Sequence, residues 1–261
     1  MRMNNHRIVR SSTMTGAEGG FSLIEVAVVM FIIVLLLGSI MIPLTTQVEQ
    51  RQISDTQKTL DEIKEALTGF AIANGYLPCP DTNGDGVADP NAPGACANAA
   101  GAVPWATLNV PAGDAWGNRF SYRVTPEFTN TPPASGTCVI NDGRIGLCDT
   151  GNITVNTRNP TTKALQILSA NTVAVIFSPG KNGYGATSTA GTPRAAVPGV
   201  NTDETTNAAA GTTFISRTAT SAVSTCSDTV AGQTFCEFDD IVVWLSRYTL
   251  INRMVAAGKL P

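Results

Sequence analysis

The sequence predicts an α+β fold: a long N-terminal α-helix, with a transmembrane half and an amphipathic half, packed on a small antiparallel β-sheet head with disulfide-closed loops. Three observations predict it. Residues 21–44 are an almost uninterrupted apolar run, and the stretch after them repeats apolar residues at helical spacing. The chain contains 24 glycines, 15 prolines and 6 cysteines, which is typical of a loop-rich, mostly β head.

Residues 1–20 form a short basic leader ahead of the apolar run, and they end in two glycines. A secretory signal peptide would place its small residues after an apolar core of about 7–15 residues, whereas here they precede a longer one. By the positive-inside rule, the basic residues predict a cytoplasmic leader and an exported remainder. The charged side chains of the leader are those of Arg2, Arg7, Arg10 and Glu18.

The apolar run over residues 21–44 is predicted to be a transmembrane and assembly helix. At about 1.5 Å per residue it would cross a hydrocarbon core of about 30 Å. Glu25 is its only ionisable side chain. An unpaired carboxylate there would cost a few kcal/mol, so Glu25 either has a function or reaches the membrane interface. A plain single-pass anchor followed by a stalk is the alternative.

The start of this run, Gly20-Phe21-Ser22-Leu23-Ile24-Glu25, resembles the prepilin cleavage motif of type IV pilins and type II secretion pseudopilins. In that family a membrane peptidase cuts after the glycine, the new N-terminal residue is methylated, and the glutamate is the fifth residue of the mature chain. The resemblance implies cleavage between Gly20 and Phe21, N-methylation of Phe21, and a role for Glu25 in assembly. There its carboxylate would neutralise the amino terminus of a neighbouring subunit.

Residues 45–75 are predicted to be the amphipathic half of the helix, ended by Gly75 and Pro78. Residues 76–261 are predicted to be an extracytoplasmic β-rich head. The helix has one apolar stripe at helical period, which consists of Ile53, Leu60, Ile63, Leu67 and Phe70.

The six cysteines favour disulfides, because an even number in an exported chain is typical of an oxidising compartment. None has C-x-x-C spacing, which argues against zinc. The cysteines allow fifteen pairings. The sequential pairing closes the shortest loops, and its members are Cys79–Cys96, Cys138–Cys148 and Cys226–Cys236.

Two acidic segments are predicted calcium sites. In the first, oxygen ligands alternate around Gly86, and the segment resembles the calcium loops of EF-hands, dockerins and thrombospondin repeats. It lacks the final glutamate of an EF-hand, because that position is Ala92, and a solvated Asx-rich turn is the alternative. The ligands of this first site are Asp81, Asn83, Asp85 and Asp89.

The second calcium site is implied by a resemblance to major pseudopilins, in which acidic residues precede the last strand. Asp239 and Asp240 match that position. The segment over residues 114–123 also resembles the D-P-W-G-N-x-Y-x-Y segment of those proteins. Strands are predicted at residues 120–124, 172–177 and 238–244, and residues 184–235 are predicted to be a long irregular loop.

The resemblance implies a structural subunit, a pseudopilin or minor pilin, of a type IV pilus or type II secretion filament. The implied partners are other pilin or pseudopilin subunits, prepilin peptidase, the inner-membrane assembly platform and membrane lipid. The implied location is the bacterial inner membrane, single-pass, with a cytoplasmic leader and a periplasmic head, and then a periplasmic or surface filament. A membrane-anchored adhesin or ligand-binding module that uses a prepilin-like anchor is the alternative.

Catalysis and nucleic-acid binding are not expected. The only histidine, His6, lies in the leader, so a mature chain has no Ser-His-Asp or Cys-His device. Asp239 and Asp240 are neighbours in a predicted strand and would point to opposite faces. The net charge is −3 and no basic stripe follows the leader, which argues against a phosphate-backbone partner.

Overall fold

The computed structural model describes residues 20–90, 96–129 and 145–260, without the side chains of residues 37–45. The chain divides into two compact units, Met1–Glu49 and Gln50–Pro261. Helix α1 runs over Leu23–Asn74 and belongs to both units. The described part of the first unit is the beginning of this helix, and all the described strands lie in the second unit.

The second unit is built on a six-stranded sheet. Its strands are β1 (Ala100–Ala102), β2 (Ser121–Val124), β3 (Ile153–Arg158), β4 (Leu165–Ser178), β5 (Thr213–Ile215) and β6 (Ile241–Ser246). Besides α1, its helices are α2 (Trp105–Leu108), α3 (Thr202–Ala208) and α4 (Arg247–Ala256), with a 3-10 turn at Pro126–Phe128.

Strand β4 is the centre of the sheet because its 14 residues are long enough to pair with three neighbours. Its first half pairs with β3, and its second half pairs with β2 on one side and β6 on the other. These pairs, and the pair β1–β2, are antiparallel. Strand β5 is parallel to β3, in the register Thr154 to Thr213.

The amphipathic stripe of α1 forms one side of the main core, as the sequence predicts. Leu60, Ile63 and Leu67 are fully buried, and they share a cluster with Tyr122 of β2 and Ile176 of β4. Ile53 and Phe70, at the ends of the stripe, are half-buried. A smaller cluster, formed by Ile153, Val155, Val175, Phe177 and Phe214, lies on the opposite face of the sheet.

The end of α1 follows the rule that glycine adopts the left-handed conformation after a helix. Gly75 has φ +85°, and its amide donates to the Ala71 carbonyl at 2.7 Å. Since a side chain at this φ would be strained, glycine is the residue that ends the helix with least cost.

The predicted transmembrane half of the helix is wrong. Within the described residues, no helix contains a stretch long and apolar enough to cross a membrane. The predicted single-pass location in the inner membrane depends on this half of the helix, so that prediction is also wrong.

The predicted small antiparallel sheet is also wrong, because the sheet is mixed and has six strands. The parallel strand β5 and helix α3 both lie within residues 184–235, which the sequence predicts to be an irregular loop. Strand β5 has three residues and too little alternation to indicate a strand by itself. Its pairing depends on contacts distant in sequence, and a pattern within one segment does not show these.

Disulfides are present in the second unit, as predicted. Cys79 is bonded to Cys96, and Cys226 to Cys236. Cys148 is also disulfide-bonded, but Cys138 lies outside the described residues, and so does the predicted Cys138–Cys148 pair. Disulfides form and persist in oxidising compartments.

We expect Leu67→Ala to lower the free energy of unfolding by about 2–5 kcal/mol, because truncating a fully buried leucine leaves a cavity between α1 and the sheet. Urea unfolding followed by circular dichroism measures the loss. Gln57→Ala, at an exposed position of the same helix, is the control and should change stability by less than about 0.5 kcal/mol. Equal losses in the two variants would contradict the assignment of Leu67 to the core.

Candidate functional site

The first candidate site is the apolar surface at the start of α1. Between residues 21 and 36 every large apolar side chain is exposed, from 44% for Ile33 to 90% for Leu23. A helix that is apolar on all sides is normally buried. Contiguous apolar surface of this kind marks an interaction site.

Glu25 has a local partner at the beginning of this helix. The Ser22 amide donates to Glu25 Oε2 at 2.8 Å, and the Glu25 amide donates to Ser22 Oγ at 3.3 Å. This reciprocal pair is a capping box, which satisfies two amides that the helix leaves free. The carboxylate is exposed and lies at the helix end that favours negative charge.

The two residues of the predicted cleavage site are both exposed. Gly20 has no heavy atom within 4 Å of the position where a Cβ would stand, and Phe21 is 86% exposed. Cleavage after Gly20, methylation of Phe21 and the assembly role of Glu25 stay predictions.

The first predicted calcium loop is held together by its own backbone amides. Asp81 is buried; its Oδ1 accepts from the amides of Asn83 and Gly84, at 3.1 and 2.6 Å, and its Oδ2 accepts from the Gly86 amide at 2.9 Å. This use of a carboxylate to close a turn is the Asx-rich geometry that was the alternative.

The remaining side chains of that loop are also engaged locally. Asp85 Oδ1 accepts from the Val87 amide at 2.8 Å, and Asn83 Oδ1 accepts from the Asp85 amide at 2.9 Å. Asp89 Oδ2 accepts from the Thr82 amide at 2.8 Å. Across the described chain, the one group of three acidic side chains with ligand atoms within 4.8 Å of one another lies elsewhere.

That group is the acidic cluster, which we define as Glu204, Asp239 and Asp240. Glu204 lies in the first turn of α3, where the Asn201 side chain accepts from its amide and caps the helix. Asp239 and Asp240 immediately precede β6. The fold therefore brings the predicted acidic pair to a third carboxylate distant in sequence.

Most oxygens of the acidic cluster are occupied. Glu204 Oε1 accepts from Asn182 Nδ2 at 3.0 Å and from the Asp239 amide at 3.1 Å. Asp239 Oδ2 accepts from the Asn182 amide at 2.8 Å, and Asp240 Oδ2 accepts from Asn207 Nδ2 at 2.7 Å. These bonds fix the orientation of all three carboxylates.

One oxygen of the acidic cluster, Asp239 Oδ1, is buried without a hydrogen-bond partner. A buried polar atom without a partner is costly and requires an explanation. Gly180 borders it closely: a Cβ on Gly180, which has φ +65°, would lie 2.5 Å from this oxygen. A side chain at position 180 would occupy the space that the Asp239 carboxylate fills, so glycine is required there.

Burial gives the acidic cluster unusual proton affinity. It raises the pKa of Glu204 to about 7 and the pKa of Asp239 to about 6. Burial also raises the pKa of Asp240 well above its ordinary value, and the charges of Glu204 and Asp239 raise it further. Three carboxylates this close share protons at mildly acidic pH or require a cation.

The donor set of the acidic cluster fits a hard divalent cation. Calcium takes six to eight oxygen ligands, mainly carboxylate and carbonyl oxygens. Glu204, Asp239 and Asp240 would hold the ion, and the partnerless Asp239 Oδ1 is the oxygen that lacks another role. The sequence pointed to Asp239 and Asp240 but missed Glu204, whose signal was the N-cap pattern Asn201-x-x-Glu204.

The segment that resembles the pseudopilin tryptophan motif has a structural role. Asp114 accepts from the Asn118 amide at 2.8 Å and from Ser178 Oγ at 2.6 Å. Asn118 Nδ2 in turn donates to the Gly180 carbonyl at 2.9 Å. These bonds join the turn before β2 to the loop after β4, and so they position Gly180 beside Asp239.

No protein-family model matches the chain, and no curated protein or solved structure matches it either.

In the absence of divalent cations, we expect the free energy of unfolding to fall as the pH rises from about 4.5 to about 7. The raised pKa values of Glu204 and Asp239 mean that the folded state binds more protons than the unfolded state in this window. Stability therefore falls with pH, by up to about 1.4 kcal/mol per pH unit for each extra proton bound. Urea unfolding in EDTA at several pH values measures the slope.

Asp239→Asn should flatten this slope and raise stability near neutral pH, because the amide removes one buried carboxylate and its NH2 group fills the place of the partnerless oxygen. Asp85→Asn, at an exposed position, is the matched control and should leave the slope unchanged. A slope that survives Asp239→Asn would show that the acidic cluster is not its source.

Proposed function

We propose that the protein is a structural subunit of a type IV pilus or type II secretion filament, a pseudopilin or minor pilin, that assembles through residues 21–36. The observation that carries the proposal is the exposed apolar surface of this segment, where Leu23 is 90% exposed and Phe31 64%. When the same segment of neighbouring subunits covers this surface, the free energy of assembly becomes more favourable by about 25 cal/mol for each Å² of apolar area removed from water.

Processing by prepilin peptidase after Gly20 would free the amino group of Phe21. A filament that buries residues 21–36 also removes the Glu25 carboxylate from water, which is costly unless it is paired. The freed, N-methylated amino group of a neighbouring Phe21 supplies the compensating positive charge. Glu25 then selects a register, because only a subunit placed to pair with it avoids an isolated buried charge.

The acidic cluster supports a calcium site as part of this proposal. We propose that Glu204, Asp239 and Asp240 bind calcium and thereby hold α3 against the segment that leads into β6. The partnerless, buried Asp239 Oδ1 supports this assignment over the loop at Asp81, whose carboxylate oxygens accept from backbone amides.

The rival function is a display module that carries an adhesin or ligand-binding unit without assembling. It predicts no role for the charge of Glu25, whereas the filament proposal depends on that charge. Glutamine serves as well as glutamate at this position of a capping box. Glu25→Gln therefore removes the charge and keeps the local cap formed with Ser22.

We expect Glu25→Gln to reduce filament assembly at least about tenfold, the equivalent of about 1.4 kcal/mol per subunit contact. Electron microscopy and quantification of sheared filaments measure assembly, and intact mass shows whether the chain begins at methylated Phe21. Glu62→Gln, an exposed position of α1, is the control. Filaments of Glu25→Gln at wild-type yield, or a mature chain that begins elsewhere, would overturn the proposal.

We expect millimolar calcium to raise the melting temperature of the full chain by several degrees at pH 7.5, because an ion bound only to the folded state stabilises it by mass action. Asp239→Asn should abolish the rise, and Asp85→Asn should preserve it. The reverse pattern would place the ion in the loop at Asp81, and no rise in the wild-type chain would remove calcium from the proposal.

A further inference from the structure

The second unit contains a cleft of about 740 Å³ over strand β2. Tyr122 and Val124 point from β2 into the core beneath α1, so the alternate residues Ser121 and Arg123 point to the opposite face, where the cleft lies. Phe177 of β4 contributes to the floor. The volume is within the range of about 300–1,000 Å³ typical of small-molecule sites.

Two arginines line this cleft, Arg119 and Arg123. Arg123 belongs to β2, and Arg119 lies two residues before that strand, in a bridge with Gly113. Both are half-buried.

Neither guanidinium has its charge neutralised within the described residues. The Nε atoms of both are buried without a hydrogen-bond partner. Arg123 Nη1 donates to the Ala210 carbonyl at 3.1 Å, and the Arg119 guanidinium lies 4.8 Å from the ring centre of Trp105. Buried arginines are normally paired with an acid, so two arginines of one cleft that lack such a partner point to an anionic ligand.

The other side chains of the cleft do not supply that partner. Its one carboxylate, Asp81, already accepts hydrogen bonds from three backbone amides. The opposite wall consists largely of small residues, among them Gly185, Gly191, Ala208 and Ala210. The cleft thus combines two arginines with walls of small residues that leave space for a ligand.

We propose that this cleft binds a small organic dicarboxylate, with one carboxylate held by Arg119 and the other by Arg123. The planar guanidinium of an arginine fits a carboxylate through two parallel hydrogen bonds. Two arginines at separate positions of one cleft match a ligand with two anionic groups on one molecule. The site shares no lining residue with residues 21–36 or with the acidic cluster.

Isothermal titration of adipate into the full chain, kept in detergent because its first helix exposes apolar side chains, tests the proposal. We expect adipate to bind, and hexanoate, which has one carboxylate, to bind at least about tenfold more weakly. Arg119→Gln and Arg123→Gln should each weaken adipate at least about tenfold. Arg253→Gln, an exposed arginine of α4, is the control and should leave adipate binding unchanged.

Four results would overturn the proposal: no heat from millimolar adipate, equal affinity for adipate and hexanoate, equal affinity for adipate and inorganic phosphate, or the same loss in Arg253→Gln. If a glutamine variant fails to fold, Arg119→Lys and Arg123→Lys keep the charge while removing the fork. They should still weaken adipate, and unchanged binding in both would show that the guanidinium forks are not the site.

Discussion

Arg217 holds together the long segment between β4 and β6, and the conformation of that segment depends on its hydrogen bonds. Its guanidinium donates to Asp203 at 2.7 Å, to Asp228 at 3.1 Å and to the Cys236 carbonyl at 3.1 Å. Its side chain is only 4% exposed. A buried charge is tolerated when it is fully paired, and removing one partner typically costs about 3–5 kcal/mol. This network fixes α3 through Asp203, and α3 in turn carries Glu204 to the acidic cluster.

The segments whose patterns are local could be predicted from the sequence, and those that depend on distant partners could not. The stripe through Leu60 and Leu67 repeats at the helical period, so its burial follows from the pattern alone. Asp239 and Asp240 stand out as an acidic pair, but the third carboxylate is 35 residues earlier in the chain. The buried hydrogen bonds of Arg217 set the position of this third carboxylate, and no regular spacing in the sequence indicates them.

Charge is distributed unevenly over the second unit, and both candidate ligand sites follow from this. In the acidic cluster three carboxylates have ligand atoms within 4.8 Å of one another, whereas two arginines line the cleft. Asn207 lies between the two sites: it lines the cleft and donates to Asp240 at 2.7 Å. This amide therefore connects the two sites directly.

The capping box at the start of α1 has a consequence for association. Since Ser22 and Glu25 satisfy each other's amides, the helix begins without help from a partner. A molecule that covers this segment binds a helix that is already formed. Binding therefore does not incur the cost of ordering the backbone, which is about 1–2 kcal/mol per residue. The affinity gained from apolar contact is then retained almost in full, as in other rigid recognition elements.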